Sequence, residues 1–211
     1  MNQAVEGEAL EMDSVARTPR SQAKAERRRQ LLVAAARLIA ERGFTGVRLE
    51  DLGAAVGISG PAVYRHFPNK DALLVEILVD ISRRLFAGGT AVEESTSDPH
   101  ETLEGLVDFH LDFALGEQDL IRVQDRELHS LTEEGRRQVR TLQRRYVEIW
   151  VGVLCRIDPA LAESDARTIA HATFGLINST PHSADPRSPH STRTVLRRMA
   201  LAALDSTHDA E

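Results

Sequence analysis

The chain has 211 residues, 42% of them apolar and 27% charged, a balance that supports one large packed domain or two small ones and excludes a disordered or fibrous chain. No run approaches the roughly 18 consecutive apolar residues of a membrane span, the first twenty residues lack the basic start and apolar core of a secretory signal, and a lone Cys155 cannot make an internal disulfide, so a cytoplasmic protein with a core thiol is expected. The net charge of −6 argues against a nucleic-acid partner only until the chain is divided: residues 17–70 hold eleven Lys and Arg against four Asp and Glu, whereas residues 71–211 hold fifteen against twenty-four, which is the electrostatic footprint of a phosphate binder confined to one end.

Residues 1–20 are polar and without periodicity, and are expected to form a disordered arm. Its basic end, Arg17 and Arg20, leads into Lys24, Arg27, Arg28 and Arg29, a run suited to phosphate or minor-groove contact. Leu31, Leu32, Ala35, Leu38 and Ile39 follow helical spacing, so a first helix is expected over 24–42, ended by Gly43. Phe44 and Val47 would cover the small core from the side. Leu49, Leu52 and Val56 at i, i+3 and i+7 give one apolar face to a short helix, and Gly57 is placed to end it with a left-handed backbone. Ser59 offers an N-cap oxygen, with Gly60 and Pro61 in the first turn, where the missing proline N–H costs nothing. The next helix, expected over 61–67, carries Tyr64, Arg65 and His66; Pro68 stops it, Asn69 caps a third, and Lys70 lies in that helix's first turn. Two short helices joined by a glycine-containing turn form the helix-turn-helix unit, which lays its second helix in the DNA major groove.

The run GF…LEDLGAAVGIS…AVYRHFPNKDALL between Gly43 and Leu74 resembles the N-terminal DNA-binding domain of the TetR family of transcriptional regulators. The family pattern ends in Tyr-x-His-Phe-x-x-Lys-x-x-Leu, matched here by Tyr64, His66, Phe67, Lys70 and Leu73. Members commonly open the first helix of the motif with Thr or Ser; this chain has Val47 and Arg48, so the hydroxyl cap is missing and Arg48 is expected to reach a phosphate as a charged donor. Ser59, Gly60, Pro61 and Ala62 open the recognition helix nearest the base edges. They are poor hydrogen-bond donors, so readout would rest on Arg65, backbone amides and thymine methyl contacts, with Tyr64, His66, Lys70 and Arg48 on phosphates.

Beyond residue 70 the pattern stays helical. A helix from 69 is expected to reach Gly88-Gly89, followed by a loop to Pro99 and helices over 100–115, 118–131, 133–157, 163–179 and 191–205. The resulting expectation is all-α: a disordered arm over 1–20, a three-helix DNA-binding domain over 21–70, and a helical effector-binding and dimerisation domain over 71–211. Ile169, Ala172, Thr173, Leu176 and Ile177 on one helix, and Val195, Met199, Ala202 and Ala203 on the last, suit a homodimer contact, which the family resemblance also implies.

The resemblance further implies an effector pocket in the C-terminal domain. Candidates for it are Phe109, His110, Phe113, Arg122, Arg126, His129, Tyr146, Trp150, His171 and Asn178, whose apolar walls with scattered Arg and His suit a lipophilic ligand bearing an acidic head, such as a fatty-acid or acyl-CoA-like molecule. No His-x-x-x-His or Glu-x-x-His pair puts two metal ligands on one helical face, and no phosphate loop, nucleophile elbow or HExxH signature appears. The reading is therefore a non-enzymatic repressor without cofactor that binds double-stranded DNA and releases a pseudo-palindromic operator on binding a small molecule. A metal-responsive regulator and a dimeric interaction protein without specific DNA binding are the alternatives.

Overall fold

The computed structural model of the protein describes residues 19–184 and 187–205; of the arm expected over 1–20, residues 1–18, Arg17 included, lie outside them, whereas Pro19 and Arg20 are helical. Among the described residues every regular element is a helix. The helices α1 (Pro19–Arg42), α2 (Leu49–Ala55) and α3 (Gly60–Val63) form the N-terminal unit, and α4 (Lys70–Ser95) leads out of it. There follow α5 (Pro99–Gly116), α6 (Gln118–Glu127) with a 3₁₀ turn at Leu128–Ser130, α7 (Glu133–Ile157), α8 (Glu163–Ile177), the single turn α9 (Thr180–Ser183) and α10 (Pro189–Asp205). No described helix is long and apolar enough to cross a membrane.

Side-chain caps set three of the helix starts among the described residues. Asn69 accepts from the Ala72 N–H at 2.7 Å, Asp98 from His100 at 2.9 Å and Thr132 from Gly135 at 3.2 Å, each satisfying an orphan donor of the first turn. Gly43 (φ 75°) and Gly57 (φ 70°) end α1 and carry the turn after α2 in the left-handed region, where a side chain would be strained. Buried apolar residues of both halves form one continuous core, from Leu31 and Phe67 at the N-terminal end to Trp150 and Leu204 at the other.

Several boundaries depart from the sequence reading: α6 ends at Glu127 and not at 131, a single turn α9 forms in the loop expected after 179, and three departures have clear causes. The helix α1 begins at Pro19, about a turn earlier than periodicity suggested, because its first turns are solvated and carry no apolar signal. The helix α3 closes at Val63, and Tyr64–His66 continue as turns, with the Phe67 N–H on the Val63 carbonyl at 3.0 Å. The helix α4 does not end at Gly88-Gly89 but runs on to Ser95. There the glycines serve close packing. A Cβ at Gly88 would fall on the Phe109 ring, and one at Gly89 would meet Tyr146 Cε2 at 2.6 Å. Missing side chains therefore let α5 and α7 press onto α4, and the helix tolerates the propensity cost of about 1 kcal/mol per glycine.

Candidate DNA interface and effector chamber

The N-terminal unit is held as a block from inside. Arg28 reaches from α1 to Glu76 of α4 and to the His66 carbonyl, with its guanidinium 4.3 Å above the Phe67 ring. Arg27 donates to the Val56 carbonyl at 3.0 Å, satisfying the end of α2. Gly53 lets α2 cross the α3 lead-in closely, since a Cβ there would lie 2.8 Å from the Ile58 carbonyl oxygen. Lys70 donates to the carbonyls of Phe44 (2.7 Å) and Val47 (3.1 Å) and lies 4.4 Å above the Phe44 ring. Three basic side chains of the motif region thus fasten the fold. Of the basic run on α1, Arg29 pairs with Glu26, leaving Arg20 and Lys24 exposed without a carboxylate among the described residues.

The surface left for DNA is narrower than the sequence suggested. Ser59, Pro61 and Arg65 are exposed, Gly60 and Ala62 half-buried, and Arg48 is exposed at the entry to α2. Ser59 occupies the N-cap position of α3 but its hydroxyl makes no cap bond; its carbonyl accepts from Ala62 at 2.9 Å. At α2 the missing hydroxyl is replaced from the other direction: the Asp51 carboxylate accepts from the Arg48 N–H at 2.9 Å, and the Arg48 guanidinium has no carboxylate partner among the described residues. Tyr64, 49% exposed, donates to Glu50 at 3.3 Å, and the nearby carboxylate raises the phenol's pKa. The His66 ring is half-buried with Nδ1 partnerless among the described residues, and its pKa is lowered by burial and then by Arg28, Lys24 and Arg27.

In the C-terminal half, α4 to α8 enclose a chamber of about 210 Å³. Ser82 and Leu85 of α4 form one side, His110 of α5 and Gln124 of α6 the next, Gln143, Tyr146 and Val147 of α7 the third, and His171, Phe174 and Asn178 close it. Its wall is aromatic: His110 stacks on Phe174 with centroids 4.9 Å apart and on Tyr146 at 5.7 Å, while Trp150 stands edge-on to Phe174 at 5.1 Å behind them. Tyr146 Oη lies 3.0 Å from His110 Nδ1, and His110 Nε2 lies 3.1 Å from Asn178 Oδ1. An amide oxygen can only accept, so His110 carries its proton on Nε2 and Tyr146 donates to Nδ1. Burial lowers the His110 pKa to about 4, with the Asn178 bond opposing, and raises that of Tyr146. Gln124 Oε1 is buried without a partner among the described residues. Such an acceptor costs free energy until a donor reaches it, and an incoming ligand can supply one.

Four of the ten effector candidates line this chamber: His110, Tyr146, His171 and Asn178, with Trp150 directly behind. The others sit elsewhere. Phe109 packs on Gly88, Phe113 lies 5.2 Å beneath Arg84, Arg122 holds Asp119 and the Pro181 carbonyl, and His129 lies exposed in the 3₁₀ turn, away from the chamber. Arg126 donates to the Ala40 carbonyl at 3.2 Å. Phe174, Gln143 and Ser82 escaped the sequence reading, although Phe174 lies three residues after His171 and Gln143 three before Tyr146, on the same helical faces. A larger cleft of about 730 Å³ between α4 and α7 is open and carries four carboxylates, Asp71, Glu76, Asp80 and Glu134, against Arg83.

The chamber connects to the DNA-binding unit through α6. Two and three residues beyond Gln124, Arg126 grips the last turn of α1 and Glu127 accepts the Phe44 N–H at 3.0 Å and the Ser130 hydroxyl at 3.1 Å. Glu127 is only 7% exposed, so this carboxylate is a buried clasp between the two halves. Among the described residues no three His, Cys, Asp or Glu side chains are placed to hold a metal ion.

The His110 pKa gives a stability prediction. Its folded value near 4 lies below the ordinary 6.5, so the unfolded chain takes up the proton first. The stability that neutral His110 protects is complete above pH about 6.5 and is lost as pH falls towards about 4. Urea unfolding at pH 7 and pH 4.5 is expected to show a smaller acid loss in His110→Gln than in wild type. Equal losses would place the acid sensitivity elsewhere.

Comparison with known proteins agrees with this geometry. Residues 31–77 match the model of bacterial regulatory proteins of the tetR family, and residues 96–207 match that of the tetracyclin repressor-like C-terminal domain. The HTH-type transcriptional repressor KstR2 of Rhodococcus jostii is 32% identical over 132 residues, 62% of this chain and 65% of its own, so the match spans less than two thirds of that repressor. The TetR-family regulator PfmR of Thermus thermophilus superposes with a TM-score of 0.73 at 25% identity, covering 83% of this chain and 97% of that one. The ketosteroid transcriptional regulator KstR2 of Mycobacterium tuberculosis has the same fold, with a TM-score of 0.74 at 22% identity over 85% and 94% of the two chains. With a helix-turn-helix presenting Arg48 and Arg65, a chambered helical domain behind it, and both halves matched in order, the chain belongs to the TetR family of transcriptional regulators.

Proposed function

We propose that this TetR-family regulator acts in the cytoplasm as a homodimeric repressor, holding a pseudo-palindromic operator until a small lipophilic molecule enters the chamber. Residues 21–70 read the DNA and residues 71–211 hold effector and partner. A helix-turn-helix monomer reads only one half-site, and two half-sites about one helical turn apart call for a two-fold pair. The outward faces of α8 and α10 suit that pair: Ala172 and Ala202 are small and exposed, and Val195 and Met199 are 41% and 48% exposed. Arg193 and Arg197 fix α10 by pairing with Asp108, Asp112 and Glu104 of α5. Thr173 and Ile177, expected on this face, are buried in their own domain.

The observation that carries the proposal is α6 itself, which offers Gln124 to the chamber and Glu127 to the DNA-binding unit. A ligand that draws on Gln124 shifts the helix that clasps Phe44. Because coupling is reciprocal, such a ligand binds the off-DNA form more tightly, and a tenfold release needs only about 1.4 kcal/mol. The metal-responsive alternative has no cluster among the described residues to rest on, and an interaction protein without DNA binding leaves the exposed Arg48 and Arg65 without a purpose. Trp150, the one tryptophan, reports on the chamber wall. Small neutral aromatic compounds that change its fluorescence are expected to lower operator affinity in parallel. Compounds that occupy the chamber and leave operator affinity unchanged would contradict the coupling.

A further inference from the structure

The chamber is not a closed end. Three of its wall residues, Gln143, Val147 and His171, also line a second hollow of about 400 Å³ on the outer face of α7 and α8. The charge changes abruptly between the two. No described Asp, Glu, Lys or Arg lines the chamber, whereas the outer hollow holds Arg140, Arg144 and Arg167 against a single Glu148. Glu148 is already taken, since Arg167 grips both of its oxygens at 2.8 and 2.9 Å. Arg140 and Arg144 lie one turn apart on α7, and neither is paired with a carboxylate among the described residues.

We propose that chamber and outer hollow form one bipartite site for an amphipathic effector, with a short uncharged acyl or aryl body against Phe174 and a phosphate-bearing tail on Arg140 and Arg144. The inference rests on the reading of the chamber as the effector site and adds the chemistry of its entrance. Size supports the division. At 210 Å³ the chamber falls below the ~300–1,000 Å³ of a typical ligand pocket, so it holds a body of few atoms, and the larger outer hollow must take the rest. A single carboxylate would satisfy one guanidinium and leave the hollow mostly empty. Two guanidiniums a turn apart, both without a carboxylate, suit the several oxygens of a phosphate or diphosphate, which arginine binds in paired hydrogen bonds. The partnerless Gln124 Oε1 on the far side provides the stop for a donor on the body. Arg122, Arg126 and His129, the basic residues to which the sequence reading gave the acidic head, have no part in this path.

The test uses the full-length protein and two thioesters with the same body: butyryl-coenzyme A, and butyryl-N-acetylcysteamine, which lacks the phosphates. Titration calorimetry is expected to show at least tenfold tighter binding of the coenzyme A ester, shrinking as salt is raised. Arg140→Gln combined with Arg144→Gln, both on the solvent side of α7, is expected to remove that advantage and leave the neutral thioester's affinity unchanged. Coenzyme A alone is expected to bind at least tenfold more weakly than its ester. Equal affinity of the two thioesters in wild type, an advantage that survives the double substitution, or coenzyme A binding as tightly as its ester would overturn the bipartite site. Binding of the neutral thioester alone would overturn the tail subsite and leave the chamber standing, whereas failure of both thioesters would overturn the two together.

Discussion

Replacing Arg48 and Arg65 together by alanine is expected to weaken operator binding about a hundredfold, or roughly 3 kcal/mol. Both side chains are exposed, Arg48 at the entry to α2 and Arg65 just after α3, and neither has a carboxylate partner among the described residues. In a dimer the double substitution removes four guanidiniums, so the loss needs less than about 1 kcal/mol from each. Arg48 is expected to act on phosphates, so its loss from both subunits should reduce the slope of log K against log salt by about two. Arg65 is the long donor beside the recognition helix; losing it should weaken discrimination at one base pair of each half-site. Lys70→Ala is expected to behave differently. Its ammonium ties the Phe44 and Val47 carbonyls, so its loss should lower the unfolding midpoint while leaving the salt slope close to wild type. Anisotropy titrations over a range of NaCl concentrations separate the two cases, and an unchanged slope in the arginine pair would displace the docking geometry.

The second large effect lies at the clasp. Glu127→Ala is expected to cost about 3 kcal/mol of stability and to disconnect effector from operator, while Glu127→Gln stays near wild type. Phe44 follows Gly43, whose left-handed backbone has ended α1, so its N–H has no carbonyl of the helix to reach. The Glu127 carboxylate supplies the acceptor at 3.0 Å and takes the Ser130 hydroxyl on its other oxygen. Hydrogen bonds to a charged group contribute about 1.5–3 kcal/mol each, and the alanine leaves a buried N–H unpaired. Glutamine keeps one acceptor of the same reach. Urea unfolding gives the stability, and operator affinity measured with and without a chamber ligand gives the coupling, typically about 1–3 kcal/mol in such systems. An alanine variant that is as stable and as responsive as wild type would remove Glu127 from the relay.

The division between what the sequence showed and what it hid follows the range of the interactions. Gly57 and Asn69 act on neighbours within a few residues, and the helix ends they set were readable from spacing alone. Gly88 and Gly89 misled because their reason lies far along the chain, in the rings of Phe109 and Tyr146. A glycine pair that ends a helix and one that admits a neighbouring helix look identical in one dimension. The basic residues of the motif were legible as a charge excess, but not that Arg27, Arg28 and Lys70 are spent on the fold while Arg48 and Arg65 stay on the surface. In the C-terminal half, His110, Tyr146, His171 and Asn178 stood out as polar groups on apolar helix faces and do meet. Arg122 and Arg126 stood out equally, yet they bond the carbonyls of Pro181 and Ala40, which no local pattern predicts.

The central claim is that this regulator reads a specific two-fold DNA site and leaves it when the chamber fills. Its most direct test is selection from a random duplex library at fixed salt, with and without a compound shown to occupy the chamber, followed by sequencing of the retained DNA. The account predicts an enriched inverted repeat, with half-sites about one helical turn apart, that disappears when the compound is present. Retention without a shared sequence, sensitive to salt and indifferent to the compound, would contradict it.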